Sequence, residues 1–287
     1  ANLAPTSESE VAELVTSGTD RVHIAGGQSR LLATEKKIIS TSALNGIVEY
    51  EPGALTMVAK AGTPLSAINE ALQKENQQLA FEPPQFKHIL MLSGSSTIGG
   101  VFATNASGSR RIQVGAARDH LLGVRFVDGL GRIIKNGGRV MKNVTGYDLV
   151  KLMAGSWGTL GLITEVSFKV LPIAETQLTL KINLCDARIL TTAINTPYDI
   201  SGTFYDVGSR AAYIRVEGFD KSVKYRAEQL LSEFSDFDID ILEMEKSKNF
   251  WKSVNNLDFL KKITGDLWRI SVKPTDGVEI IEILDPK

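Results

Sequence analysis

Two periods of apolar spacing alternate along the chain. Val11, Leu14 and Val15 fall on one face of a helix that Ser7 or Ser9 can cap, and the apolar run Val22–Ile24 then reads as a strand, with another at 37–40. The stretch "GIVEYEPGALTMVAKAG" predicts two strands on either side of a turn at Glu51–Gly53. In "TPLSAINEALQKEN", Leu65, Ile68, Ala71 and Leu72 return at helical spacing behind Thr63 as the cap and Pro64 at the first helical position. After "LAFEPP" the pattern gives out over 91–108, where small residues take its place. It resumes as two strands, "LLGVRFVD" and "GRIIKNG", joined through Gly129-Leu130-Gly131. The helix "YDLVKLMAGS" and the strand "GLITEVSFKVL" then lead to Pro172.

Beyond Pro172 glycine becomes scarce and the order of elements changes. "TQLTLKINL" reads as a strand, "DARILTTAIN" as a helix, "ISGTFYDV" and "AAYIRVEG" as a hairpin, "KSVKYRAEQLLSEF" as a helix and "FDIDILEM" as a strand. Strand–helix–strand–strand–helix–strand is the pattern of a ferredoxin-like sandwich. A further helix is expected around Asn249–Lys262, ahead of "DLWRISV". The fold class expected is α+β, with one domain over 1–172 and a smaller ferredoxin-like one over 173–287.

Composition narrows the possible functions. With 287 residues, 43% hydrophobic and 23% charged, and a net charge of −1, the chain suits neither nucleic acid nor an anionic membrane as its main partner. The one cysteine, Cys185, excludes an internal disulfide and any multi-thiolate metal or iron–sulfur site within the chain, and is expected to act as a small buried hydrophobe. No apolar stretch is long enough to span a bilayer, and the opening "ANLAPTSESE" has no signal-peptide character, so a cytoplasmic protein is expected.

Candidate chemistry lies in the glycines. No G-x-G-x-x-G stands between a strand and a helix, and "GSSTIGG" lacks the Lys-Ser/Thr that completes a P-loop. Three other glycine-rich segments remain, "AGGQSR" (25–30), "SGSSTIGGVFATNASG" (93–108) and "GSWGTLGLIT" (155–164). One alone would be a tight turn. Three, each beside a strand pattern, suit an extended ligand lying across backbone amides, and a dinucleotide diphosphate is such a ligand.

"LNGIVEYEPGALTMVAKAGTPL", "STIGGVFATNASGSRRIQVGAARDHLLG" and "MKNVTGYDLVKLMAGSWGTLGLITEVSFKVLP" resemble, in family order, the FAD-binding fold of the vanillyl-alcohol oxidase, or PCMH-type, flavoproteins. Within that family they are most similar to the FAD-binding subunits of glycolate oxidases, relatives of FAD-linked D-lactate dehydrogenases. The resemblance implies an FAD-binding domain of two α+β subdomains. It implies that Gly26, Gly27, Gln28, Ser29 and Arg30 form the pyrophosphate loop, and that Ser96, Thr97, Gly99, Gly100, Thr104, Asn105 and Gly108 run past the diphosphate and the flavin. Gly99 and Gly100 would be needed because a Cβ there would collide with the ring. Gly158, Gly161 and Ile163 would meet the AMP half. Gln28 and Ser29 stand where some relatives attach flavin through a histidine, so FAD is expected without a covalent bond.

Other residues carry two readings. Arg110 and Arg111 either touch an anionic substrate or the flavin N1 region, where a positive charge stabilises reduced flavin, or solvate a loop; Asp148 is expected to support a helix N-terminus rather than act as a base. Trp157 and Trp268 are expected in the core or between domains, and His120 as a surface cap or a polar group beside the flavin. Autonomous relatives, as the resemblance has it, supply histidines from the substrate domain, whereas 121–287 has none. Tyr205, Tyr213, Asp206 and Glu217 are the possible substitutes; no catalytic residue and no metal site is assigned. The function expected is an FAD-binding subunit of a 2-hydroxy-acid-oxidising complex, beside a larger homologous flavoprotein and an iron–sulfur subunit. Two alternatives stay open: a self-sufficient FAD-linked dehydrogenase of a hydroxy acid or sugar lactone, and a non-catalytic flavin-fold assembly subunit.

Overall fold

The structure is a computed structural model that describes residues 2–18, 21–30, 37–138, 146–184, 186–261 and 264–284. Cys185 and most of "MKNVTG" lie outside the described residues. The chain divides into two compact units, Ala1–Gly108 with Gly115–Ile173, and Ser109–Val114 with Ala174–Lys287. The second unit thus claims six residues that the sequence reading groups with the first.

The first unit holds two principal sheets. A three-stranded parallel sheet pairs β1 (Asn2–Leu3) and β2 (Val22–Ala25) on either side of β3 (Lys37–Ser40). Helix α1 (Glu8–Ser17) connects β1 to β2 and is capped by Ser7, whose hydroxyl accepts the Glu10 N–H. A five-stranded antiparallel sheet has the order β4-β5-β9-β7-β8, from β4 (Ile47–Glu51), β5 (Thr56–Lys60), β7 (Leu121–Asp128), β8 (Ile133–Gly137) and β9 (Gly161–Lys169). Its central strand β9 is buried at seven of nine positions, as near-continuous apolar character requires. Helix α2 (Leu65–Lys74) lays Leu65, Ile68 and Leu72 into the same core as Phe81, Phe102 and Phe168. The expected cap is corrected here: Pro64 holds the cap position, while the Thr63 hydroxyl donates to the carbonyls of Gly46 and Lys60 and so fixes the preceding turn.

After the short β6 (Gln77–Gln78), which pairs with β10 (Leu171–Pro172), the chain forms α3 (Ile98–Ala103). It then leaves the unit for six residues that include α4 (Arg111–Val114) and returns as α5 (Ala117–His120). Helix α6 (Leu149–Met153) is shorter than its sequence pattern, and Asp148 caps it by accepting the Lys151 N–H at 3.0 Å.

The second unit has the sheet order β12-β13-β11-β14, from β11 (Thr176–Asn183), β12 (Gly202–Asp206), β13 (Ala211–Gly218) and β14 (Ile239–Glu243), antiparallel throughout. Helices α7 (Arg188–Ile194) and α8 (Asp220–Glu233) fill the two crossovers, which makes the arrangement ferredoxin-like. One core combines Leu180, Ile182, Ile214 and Val216 with Val223 and Leu230 of α8. Helix α9 spans Met244–Asn256, five residues nearer the N-terminus than expected at its start. Residues 264–273 are exposed coil, and α10 (Pro274–Leu284) follows.

Candidate functional site

The three glycine-rich segments meet at one cleft of about 290 Å³ in the first unit. The first leaves β2, the second enters α3, and the third joins α6 to β9. Gly26, Gly27, Gln28, Ser29, Arg30, Ser96, Thr97, Gly99, Gly100, Thr104, Gly158, Gly161 and Ile163 all line it. Asn105 and Gly108, expected with them, do not. The Asn105 side-chain oxygen accepts the Arg118 N–H at 2.9 Å, and the Gly108 N–H donates to the Phe81 carbonyl at 2.8 Å. Both are spent on shaping the exit from α3.

Several glycines are required by loop packing itself. A Cβ on Gly27 would lie 1.5 Å from the Ser95 carbonyl oxygen, and one on Gly94 would lie 2.0 Å from that of Gly27. The first two loops therefore rest backbone on backbone, and the Ser29 and Ser96 hydroxyls join them at 3.0 Å. Gly99 has a packing reason too, since its Cβ would strike Ala61 at 2.5 Å. Gly100 has more room: its Cβ would meet only the Thr97 hydroxyl, at 3.2 Å.

What the cleft can offer a ligand depends on which donors are still available. In the α3 segment few are: the N–H groups of Ile98 and Gly99 go to the carbonyls of Thr63 and Ala61, and that of Gly100 to the Thr97 hydroxyl. The loop after β2 differs. The N–H groups of Gly27, Gln28, Ser29 and Arg30 donate to no acceptor among the described residues. Gln28 stands in the left-handed region at φ 54°, which in a run of such amides turns successive N–H groups toward one anion. Arg30 adds a fixed charge. Burial lowers its guanidinium to about 10, which leaves it a cation at neutral pH. It donates to the Pro84 carbonyl and lies 5.4 Å from the Phe86 ring centroid, with no carboxylate paired to it among the described residues.

The cleft also has walls that the motif reading missed. His23, Ile24, Thr41, Ala61, Trp157 and Thr159 line it. His23 had a signal, since it precedes the loop on β2; Trp157 had one in its place between two glycines, "GSWG". Trp157 is 59% exposed and Trp268 81% exposed, so neither is a core residue. His120 is buried with its ring 5.1 Å from that of Phe81, which corrects the surface cap expected there.

Residues 1–137 match the family model of an FAD-binding domain. The chain is 38% identical over 237 residues to glycolate oxidase subunit GlcE of Escherichia coli (strain K12), covering 81% of this chain and 62% of that one. It is 36% identical over 137 residues to glycolate oxidase subunit GlcD of Bacillus subtilis, covering 48% of this chain and 28% of that one. D-lactate dehydrogenase of Archaeoglobus fulgidus aligns with 99% of this chain and 65% of its own length at 25% identity. The chain spans less than two thirds of each of these relatives. Alkyldihydroxyacetonephosphate synthase shares the fold, with a TM-score of 0.69 over 91% of this chain and 55% of that one at 18% identity. FAD is the cofactor of this domain, and the chemistry of the cleft suits it: four amides without acceptors among the described residues and a cation with no carboxylate beside it among them could meet the diphosphate, next to walls of Ala61, Gly100, Ala103 and Ile163 for flat rings.

The acid–base candidates of the second unit are already engaged. Glu217 is buried and receives two hydrogen bonds from the Arg110 guanidinium, one at 2.7 Å, with the Arg215 guanidinium 3.6 Å from the same carboxylate. Arg110 is therefore not a solvated loop residue, while Arg111 is exposed. The Tyr205 hydroxyl donates to the Leu184 carbonyl at 3.2 Å, and Tyr213 is stacked on Phe250 at 4.2 Å. Asp206 accepts from the Gly208 N–H and the Ser209 hydroxyl within its turn. No group of three metal-ligating side chains occurs among the described residues, and no helix among them is long and apolar enough to cross a membrane.

Proposed function

We propose that this chain is an FAD-binding subunit of an assembly that oxidises a 2-hydroxy acid of the glycolate or D-lactate type. The observation that carries the reading is the contrast between its two units. The first presents a cleft whose amides find no acceptor among the described residues and a half-buried cation at Arg30; in the second, Tyr205, Tyr213, Asp206 and Glu217 are all held in internal contacts. Bound FAD would supply a two-electron acceptor, and a hydroxy acid also needs a base for its hydroxyl proton as hydride leaves carbon. This chain's part is to hold the diphosphate with the amides of Gly27–Arg30 and the Arg30 charge, and to exclude water with the apolar wall around Ile163. Gly26, Ser96, Thr97, Thr104, Gly158 and Gly161 complete that holding surface. The base would come from a homologous flavoprotein partner. Onward electrons would pass to an iron–sulfur partner, since a single cysteine cannot hold a cluster.

The test is anaerobic mixing of the purified FAD-loaded chain with glycolate and with D-lactate while flavin absorbance is followed. We expect no bleaching within seconds without a partner; bleaching on that timescale would instead establish a self-sufficient dehydrogenase. Acid precipitation of the same sample is expected to release all flavin to the supernatant. Flavin retained on the polypeptide would contradict non-covalent binding and direct attention to His23, the histidine on the wall of the cleft.

A further inference from the structure

Neither the core nor the loop amides account for Trp157. It lines the cleft, is 59% exposed, and makes no ring contact or side-chain hydrogen bond with any described residue. Its backbone is held at φ 55°, between Gly155 at φ 83° and Gly158 at φ 73°. A bulky residue is rare in that region, where glycine is at ease. The strain is enforced: the Trp157 N–H donates to the Ala103 carbonyl at 2.9 Å, and the Gly155 N–H to that of Phe102 at 3.0 Å, so the loop is fastened to the end of α3. Glycine would satisfy the backbone better, and the core does not use the indole. A strained, open aromatic on the wall of a ligand cleft is a place to look for function.

We propose that the Trp157 indole is the stacking platform for one flat heteroaromatic ring of the bound dinucleotide. The inference rests on the reading of this cleft as the FAD site. A nucleotide ring presents a π-face to any neighbouring aromatic, and such stacking tolerates differences in ring substituents. The Trp157 ring would thus fix where one end of the cofactor lies, while the amides of Gly27–Arg30 fix its middle.

The test uses flavin-free full-length chain in four forms: wild type, Trp157→Ala, Trp157→Phe and Trp157→Gly. Each is titrated with FAD, ADP and FMN while indole emission is recorded, and each is melted without ligand. The wild type is expected to lose part of its emission on binding FAD, and Trp157→Ala to bind FAD about ten-fold more weakly, equivalent to about 1.4 kcal/mol. Trp157→Phe should recover most of the affinity. Trp157→Gly, with its backbone at ease, should melt no lower than wild type yet bind as weakly as Trp157→Ala. The half-molecule whose affinity falls with Trp157→Ala identifies the ring, adenine for ADP and isoalloxazine for FMN. If the wild type does not bind FAD, the cleft reading itself fails. FAD affinity within two-fold of wild type in Trp157→Ala overturns the stacking role alone. A lower ligand-free melting temperature in Trp157→Gly overturns it too, because the indole would then be supporting the fold.

Discussion

At the scale of single residues, two glycines of one motif do different work, and substitution separates them. A Cβ at Gly27 meets a main-chain oxygen at 1.5 Å, which only movement of one loop away from the other can relieve. Gly27→Ala is therefore expected to destabilise the protein by about 2–3 kcal/mol, in the range of overpacking, and to lose FAD as a consequence. Gly100 sits within α3, where alanine is favoured over glycine by about 1 kcal/mol and the nearest neighbour is a hydroxyl that can rotate. Gly100→Ala should hold or raise the urea midpoint of the flavin-free protein while lowering flavin content per chain. A stable Gly100→Ala protein with full flavin content would remove this face of α3 from the cofactor site. "AGGQSR" and "STIGG" revealed that backbones come close, but not to what. A sequence does not distinguish approach to a ligand from approach to another loop, and the packing of Gly27 and Gly99 shows the second at work.

Among elements, Glu8 joins α1 to the five-stranded sheet. Its carboxylate accepts from the Arg125 guanidinium on β7 and from the Thr164 hydroxyl on β9, the latter at 2.6 Å. Burial by itself would raise its pKa; the hydrogen bonds from Arg125 and Thr164 outweigh that and hold it below the usual carboxylate value. A depressed folded pKa gives stability that is present above the unfolded value near 4.5 and is lost as pH falls through the folded one. Glu8→Gln should cost about 2 kcal/mol at pH 7 by urea unfolding, and the gap to wild type should narrow as pH falls below the unfolded value near 4.5. A gap that does not change with pH would mean that packing, not the charge, makes the join. The elements themselves were largely legible, because strands such as β7 and β9 carry long β-rich apolar runs. Thr63 misled because a hydroxyl beside a helix start can equally serve the turn before it. Helix α10 was missed although it carries Val278, Ile280, Ile281, Ile283 and Leu284; none of its residues is buried.

On the scale of the whole molecule, the buried charges of the second unit show an asymmetry. Glu217 serves two arginines, Arg110 on the short segment before Gly115 and Arg215 on its own strand, which also stacks on Trp251 at 4.6 Å. Removing the shared carboxylate leaves both guanidiniums buried without it, whereas removing Arg110 leaves Glu217 its second partner. Glu217→Gln is expected to cost about 3–5 kcal/mol and Arg110→Met distinctly less, read from urea midpoints. Equal costs would show that Arg215 contributes nothing to Glu217.

The detour of Ser109–Val114 has a consequence for how such chains can be recombined. Ser109 donates to Asn255, Arg110 to Glu217 and Gln113 to Asp199, all far downstream. The second unit is therefore encoded in two places, and its smaller piece is embedded within the gene segment of the first. A single crossover near residue 173 between two such genes would pair a new sheet with an inherited strap that no longer matches it. Exchange of this unit between lineages calls for two coordinated events, or for a strap whose arginine and amide partners have been kept in common.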